Sequence, residues 1–92
     1  MSQQSAVQFQ IFIAGESPNS RQALRNLQAF CDENLAGRYA IDVIDVFKEP
    51  ERAMEAGVLL TPLTIKIAPS PAIKILGSLS NREPLLQTLE RS

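Results

Sequence analysis

The 92-residue sequence predicts an α/β domain, a four-stranded mixed sheet with three helices in the order βαβαββα. Three observations predict it. Apolar residues alternate over 7–13, and apolar, β-branched runs recur over 39–47, 63–67 and 72–76. Helix-opening signals and leucines at helical spacing fall between those runs. Pro69-Ser70-Pro71 separates the last two runs by a loop so short that they must pair as a hairpin.

Residues 1–6 are polar and are expected to be loose. Val7, Phe9, Ile11 and Ile13 then alternate with Gln8, Gln10 and Phe12, the period of a strand. Ala14-Gly15 follows, and a helix is predicted from Pro18 to Asn34. Ser17 is its N-cap, and Pro18 takes the first helical position, where a missing N–H costs nothing. Leu24, Leu27, Phe30 and Cys31 share one face of that helix. Gly37 ends the unit. In Tyr39–Phe47, Ile41 and Val43 face one way and Ile44 and Val46 the other, which predicts a strand covered on both sides. A helix between two strands implies a right-handed, parallel βαβ unit. Pro50 opens and Gly57 closes a short helix. Leu63–Ile67 and Ala72–Leu76 are the hairpin strands, with Lys66 expected opposite Lys74 and Ala68 opposite Ala72. Ser80 and Glu83 have the spacing of a capping box, so Ser80 is the expected cap of a last helix carrying Leu85, Leu86 and Leu89.

The composition excludes several kinds of chemistry. Net charge is −1, which gives no general attraction to nucleic acid. The chain has no histidine, so Ser-His and Cys-His nucleophile pairs and zinc-histidine sites are excluded, and no catalytic, cofactor-binding or metal residue is expected. Cys31 is the single cysteine. It cannot form an internal disulfide and suits a reducing cytoplasm. The N-terminus lacks a signal-peptide pattern, and no segment approaches membrane-spanning length. A single domain over residues 1–92 is expected.

A parallel βαβ unit, a helix, a hairpin and a last helix make up the thioredoxin-like arrangement. Thr61-Pro62 stands directly before the third strand, where that fold carries a cis-proline, so Pro62 is expected to be cis. Thiol oxidoreductases of this fold place Cys-x-x-Cys where the first strand runs into its helix, because the helix N-terminus stabilises a thiolate. Here the same place holds Ser17-Pro18-Asn19-Ser20. The junction argues for the scaffold and against the redox chemistry.

Three stretches resemble the KaiB family of circadian clock proteins. They are Ala14-Gly15 with Pro18-Asn19-Ser20; Tyr39-Ala40 with Val43-Ile44-Asp45-Val46 and Lys48; and Leu60-Thr61-Pro62 with Lys66, Pro69, Pro71, Lys74 and Gly77, extended by Leu79-Ser80 and Arg82-Glu83. The match runs from about residue 9 to residue 90. The resemblance implies a non-enzymatic regulator without cofactors whose partner is a KaiC-like ATPase, or alternatively a stand-alone module serving a sensor kinase or stress response. It also implies two accessible folds: a ground-state fold with a rearranged C-terminal half, usually tetrameric, and the thioredoxin-like fold that docks on the ATPase. Local propensity over 63–76 and 80–90 favours the thioredoxin-like state, expected as a monomer. The sequence departs from the family pattern where Asp42 replaces a common lysine, Ile73 replaces the first of a basic pair, and Ser70 interrupts a run of prolines.

Ala40, Asp42, Lys66 and Lys74 are the candidate partner contacts implied by this resemblance. Lys66 and Lys74 also fit a second reading, lysines that protect an edge hairpin from aggregation. Ser17 and Ser20 lack a base and read as helix capping. Cys31 reads as a buried structural thiol. Asp42 and Asp45 point to opposite faces of one strand, so they cannot form an acid–base pair. Asp45 is expected to hold the strand end and the turn after it.

Overall fold

The computed structural model describes residues 6–90; apart from Ala6, the N-terminal residues expected to be loose lie outside that range. The order is β1 (Val7–Ile13), α1 (Pro18–Asn34), β2 (Tyr39–Asp45), α2 (Pro50–Glu55), β3 (Leu63–Ala68), β4 (Ile73–Leu76) and α3 (Glu83–Glu90). The strands form one sheet in the order β2-β1-β3-β4. β1 runs parallel to β2 and antiparallel to β3, and β3 and β4 form the antiparallel hairpin. This is the expected thioredoxin-like arrangement.

The two faces of the sheet carry separate cores. Phe9, Ile11, Leu27, Phe30, Cys31 and Leu85 pack on one side, beneath α1 and α3. Phe12, Ile44, Leu63 and Ile65 pack on the other with Ala53 of α2. Phe12 stands among the polar positions of the β1 alternation, yet it is 1% exposed, because β1 is an inner strand covered on both faces.

Several expectations are corrected. β2 is an outer strand that ends at Asp45, and it is covered only in part: Tyr39 and Ile41 pack against the core under α1 and Ile44 is buried on the α2 side, but Val43 is 45% exposed. Its apolar content resembles that of a central strand, but its place is set by the pairing of β1 with β3 on the other side. The hairpin register is also one residue away from the expected one. Lys66 pairs with Ile73, and Lys74 pairs with Ile65. Residues 69–72 connect the strands, one more than the three-residue loop predicted. A one-residue slip exchanges the faces of a whole strand. Lys66 therefore points into the α1/α3 core and Lys74 to the α2 side. Finally, Ser80 does not cap α3. Asn81 Oδ1 accepts the Glu83 N–H at 3.0 Å, while Ser80 Oγ is 2.8 Å from Ser78 Oγ. The turn before α3 holds buried Leu79 at φ 63°, and this turn presents Asn81, not Ser80, to the helix.

Candidate functional site

The corner between β1 and α1 is closed by hydroxyl groups. Ser17 Oγ accepts the Ser20 N–H at 3.4 Å and donates to Ser20 Oγ at 2.8 Å. Ser20 Oγ in turn accepts the Ala14 N–H at 3.0 Å, and Ser20 is fully buried. Gly15, at φ 56°, turns the chain between them. A Cβ there would meet the Phe47 ring at 3.5 Å, an ordinary contact, so it is the positive φ that calls for glycine. Asp45 ties this corner to the end of β2, since its Oδ1 accepts the N–H groups of Gly15 at 3.3 Å and Phe47 at 2.9 Å.

Among the described residues neither serine is hydrogen-bonded to a base that could activate it: the hydroxyls engage each other and backbone, and the Asp45 carboxylate accepts backbone N–H groups instead. Cys31 is buried on α1, and burial pushes its thiol up to about 12, with a smaller contribution from the nearby Asp32. Such a thiol is inert at neutral pH. Among the described residues, no group of three or more His, Cys, Asp or Glu side chains is placed to hold a metal ion. The Thr61-Pro62 bond is cis, as are Ala68-Pro69 and Ser70-Pro71.

The four candidate contact residues do not converge. Ala40 and Asp42 lie on β2, both exposed, beside a shallow groove of about 290 Å³ that also includes Gln8, Gln10 and Ile67. Asp42 is engaged by Arg52 of α2, which also donates to Glu49 at 3.2 Å. These two carboxylates hold the Arg52 guanidinium above its ordinary value. Lys74 is exposed on the same side of the sheet but on β4, at the opposite edge. Lys66 is removed from any surface: it is 0% exposed, its Nζ donates to the Thr88 carbonyl at 3.4 Å near the end of α3, and burial lowers its pKa. Neither the surface-contact reading nor the edge-protection reading of Lys66 survives this placement.

One surface was not read from the sequence. Leu59 is 93% exposed, Leu60 63% and Leu76 56%, and all three line a groove of about 190 Å³ with Leu63 and Lys74. Phe47 and Met54 are also largely exposed. The available signal was Val58-Leu59-Leu60, an apolar run outside any periodic element and directly before Thr61-Pro62.

Comparison with known proteins places these features in a family. A family model described as the KaiB domain matches residues 10–91. The chain is 44% identical over 80 residues to the circadian clock oscillator protein KaiB of Microcystis aeruginosa, covering 87% of this chain and 77% of that protein. It is 39% identical over 80 residues to the circadian clock protein KaiB3 of Synechocystis, covering 87% and 78%. Among solved structures, the N-terminal domain of Synechococcus elongatus SasA superposes with a TM-score of 0.80 at 20% identity, over 100% of this chain and 90% of that one. Mitochondrial thioredoxin 3 of Saccharomyces cerevisiae superposes at 0.75 and 19% identity, over 97% and 81%. At these identities the two structural matches establish the fold alone.

Proposed function

The chain belongs to the KaiB family, and from that premise we propose that it is a clock-type regulator that binds a KaiC-like ATPase and performs no catalysis of its own. The observation that carries this reading is the family match over residues 10–91, on a thioredoxin-like fold whose reactive corner holds the hydrogen-bonded Ser17 and Ser20 in place of thiols. On this reading the partner meets the α2 side of the sheet through Ala40, Asp42 and Lys74. Lys66 is left out because it is buried. The protein acts as a cytoplasmic monomer in the fold described here, and rearrangement of the half from Thr61 onward gives its alternative tetrameric state. A sensor kinase is the second partner reading, favoured by the shared fold of the SasA N-terminal domain.

The test is a pull-down of the folded chain against a KaiC-type ATPase with ATP present. Retention is expected, and Ala40→Glu is expected to weaken it. No retention of a well-folded sample refutes the ATPase reading; retention by a sensor-kinase fragment instead would establish the second. An insulin-reduction assay is expected to show no turnover. Backbone chemical shifts that report strand at residues 85–90 would overturn the proposed resting state.

A further inference from the structure

We propose that the outer edge of β4 is a docking site for an extended, acidic segment of a partner protein, which adds to the sheet as a fifth strand. The strand order leaves β4 without a neighbour on one side. An outer strand presents unpaired N–H and C=O groups along that side, a template for another chain. Two grooves flank this edge, one on each face of the sheet. On the α3 side, a groove of about 330 Å³ lies between Ile73, Ile75 and the Pro84 and Gln87 side of the helix. On the α2 side lies the 190 Å³ groove of Leu59, Leu60, Leu63 and Leu76.

An added strand sends successive side chains to opposite faces. Its residues would therefore fill the two grooves in turn, while its backbone pairs with β4. Strand addition works in this way, with main-chain bonds supplying affinity and alternate pockets supplying specificity. The large exposure of Leu59, Leu60 and Leu76 makes the α2-side groove a place for an apolar side chain.

Lys74 sets the charge of the occupant. It lines both grooves and makes no ion pair among the described residues. A carboxylate on the incoming segment complements it. A second copy of this chain fits the edge less well, because antiparallel self-pairing centred on Lys74 sets two lysines directly opposite each other. The β2 edge differs in character: its Asp42 is already engaged by Arg52, and glutamines line its groove. The β4 site shares Lys74 with the contact surface proposed above but stands apart from Ala40 and Asp42, and it does not depend on the partner being an ATPase.

The test is an NMR titration of the full chain with a capped nine-residue peptide of alternating valine and threonine carrying one central aspartate. A second peptide with lysine in place of that aspartate is the control. Shifts are expected at residues 73–76 and at Leu59 and Leu60, with amide exchange slowed at alternate positions of β4. Lys74→Glu, at an exposed position, is expected to weaken the acidic peptide about fivefold and to reverse the preference between the two peptides. Shifts confined to residues 39–45, or none at β4 with millimolar peptide, overturn the site. Equal affinity of both peptides for the unmodified chain overturns its acidic specificity. The same β4 shifts on raising protein concentration without peptide would assign the edge to a second copy and refute the proposed occupant.

Discussion

Replacing Ser20 by alanine tests whether the hydroxyl corner behaves as one unit. Ser20 Oγ is fully buried, accepts the Ala14 N–H and shares a hydrogen bond with Ser17 Oγ. The substitution leaves the part-buried Ala14 N–H without its acceptor, a loss of about 2 kcal/mol. For a domain of this size, that lowers the melting temperature by roughly 8–16 °C. Ser17→Ala removes a helix cap and costs about 1 kcal/mol. The two losses include the same Ser17–Ser20 bond, so the double variant is expected to fall short of their sum by about 0.5–1 kcal/mol. Urea denaturation of the four proteins of the cycle gives the coupling directly. Additivity within about 0.3 kcal/mol would show that the two hydroxyls act independently and would refute the reasoning.

Cys31 is expected to resist thiol reagents in the folded chain at pH 8 and to react only on unfolding; rapid labelling of the native protein would contradict its burial. Its raised folded pKa also gives a pH signature. The unfolded thiol, with its ordinary value of 9.0, ionises first, so stability from this group is present below pH 9 and is lost as pH rises towards about 12; Cys31→Ala removes that slope. Lys66 has the opposite sign, because its folded pKa lies below the unfolded 10.5. The cost of the buried ammonium is fully present below the folded pKa and is relieved as pH rises towards 10.5, so Lys66→Met removes a rising slope that urea titrations in the Cys31→Ala background detect. Leu79 is buried at positive φ. Leu79→Ala is expected to cost about 2–5 kcal/mol, and Leu79→Gly no more than that despite its smaller size, because glycine accepts φ 63° without strain.

What the sequence disclosed followed local chemistry. The bounds of α1 were legible because Ser17, Pro18 and the apolar stripe signal a helix within a few residues of themselves. The cis bond before Pro62 followed from its place ahead of β3. Strand order was not legible in β2, where Ile41, Val43, Ile44 and Val46 satisfy the pattern of a covered strand. Only the non-local pairing of β1 with β3 makes β2 an edge. Ser80 and Asn81 are both competent caps, and the turn at Leu79 decides between them. Of the candidate site, Ala40, Asp42 and Lys74 lie on the surface, whereas the leucine groove beside Lys74 depends on a loop and a strand brought together only by folding.

The hairpin register links these observations to function. With Lys66 opposite Lys74, both lysines would share one face and form a single basic patch. The observed register separates them. Lys66 enters the core and joins β3 to the Thr88 carbonyl of α3, and Lys74 remains outside between two grooves. The surface cation of this hairpin therefore acts alone, at an unpaired edge. The six-residue α2 covers only part of its side of the sheet, near Phe12, Ile44 and Leu63, and leaves the rest of that side open from Ala40 to Lys74. On this scaffold Ser17 and Ser20 close the corner between β1 and α1 with their own hydrogen bonds, and the partner surfaces proposed above lie elsewhere, on the open face and the outer strands.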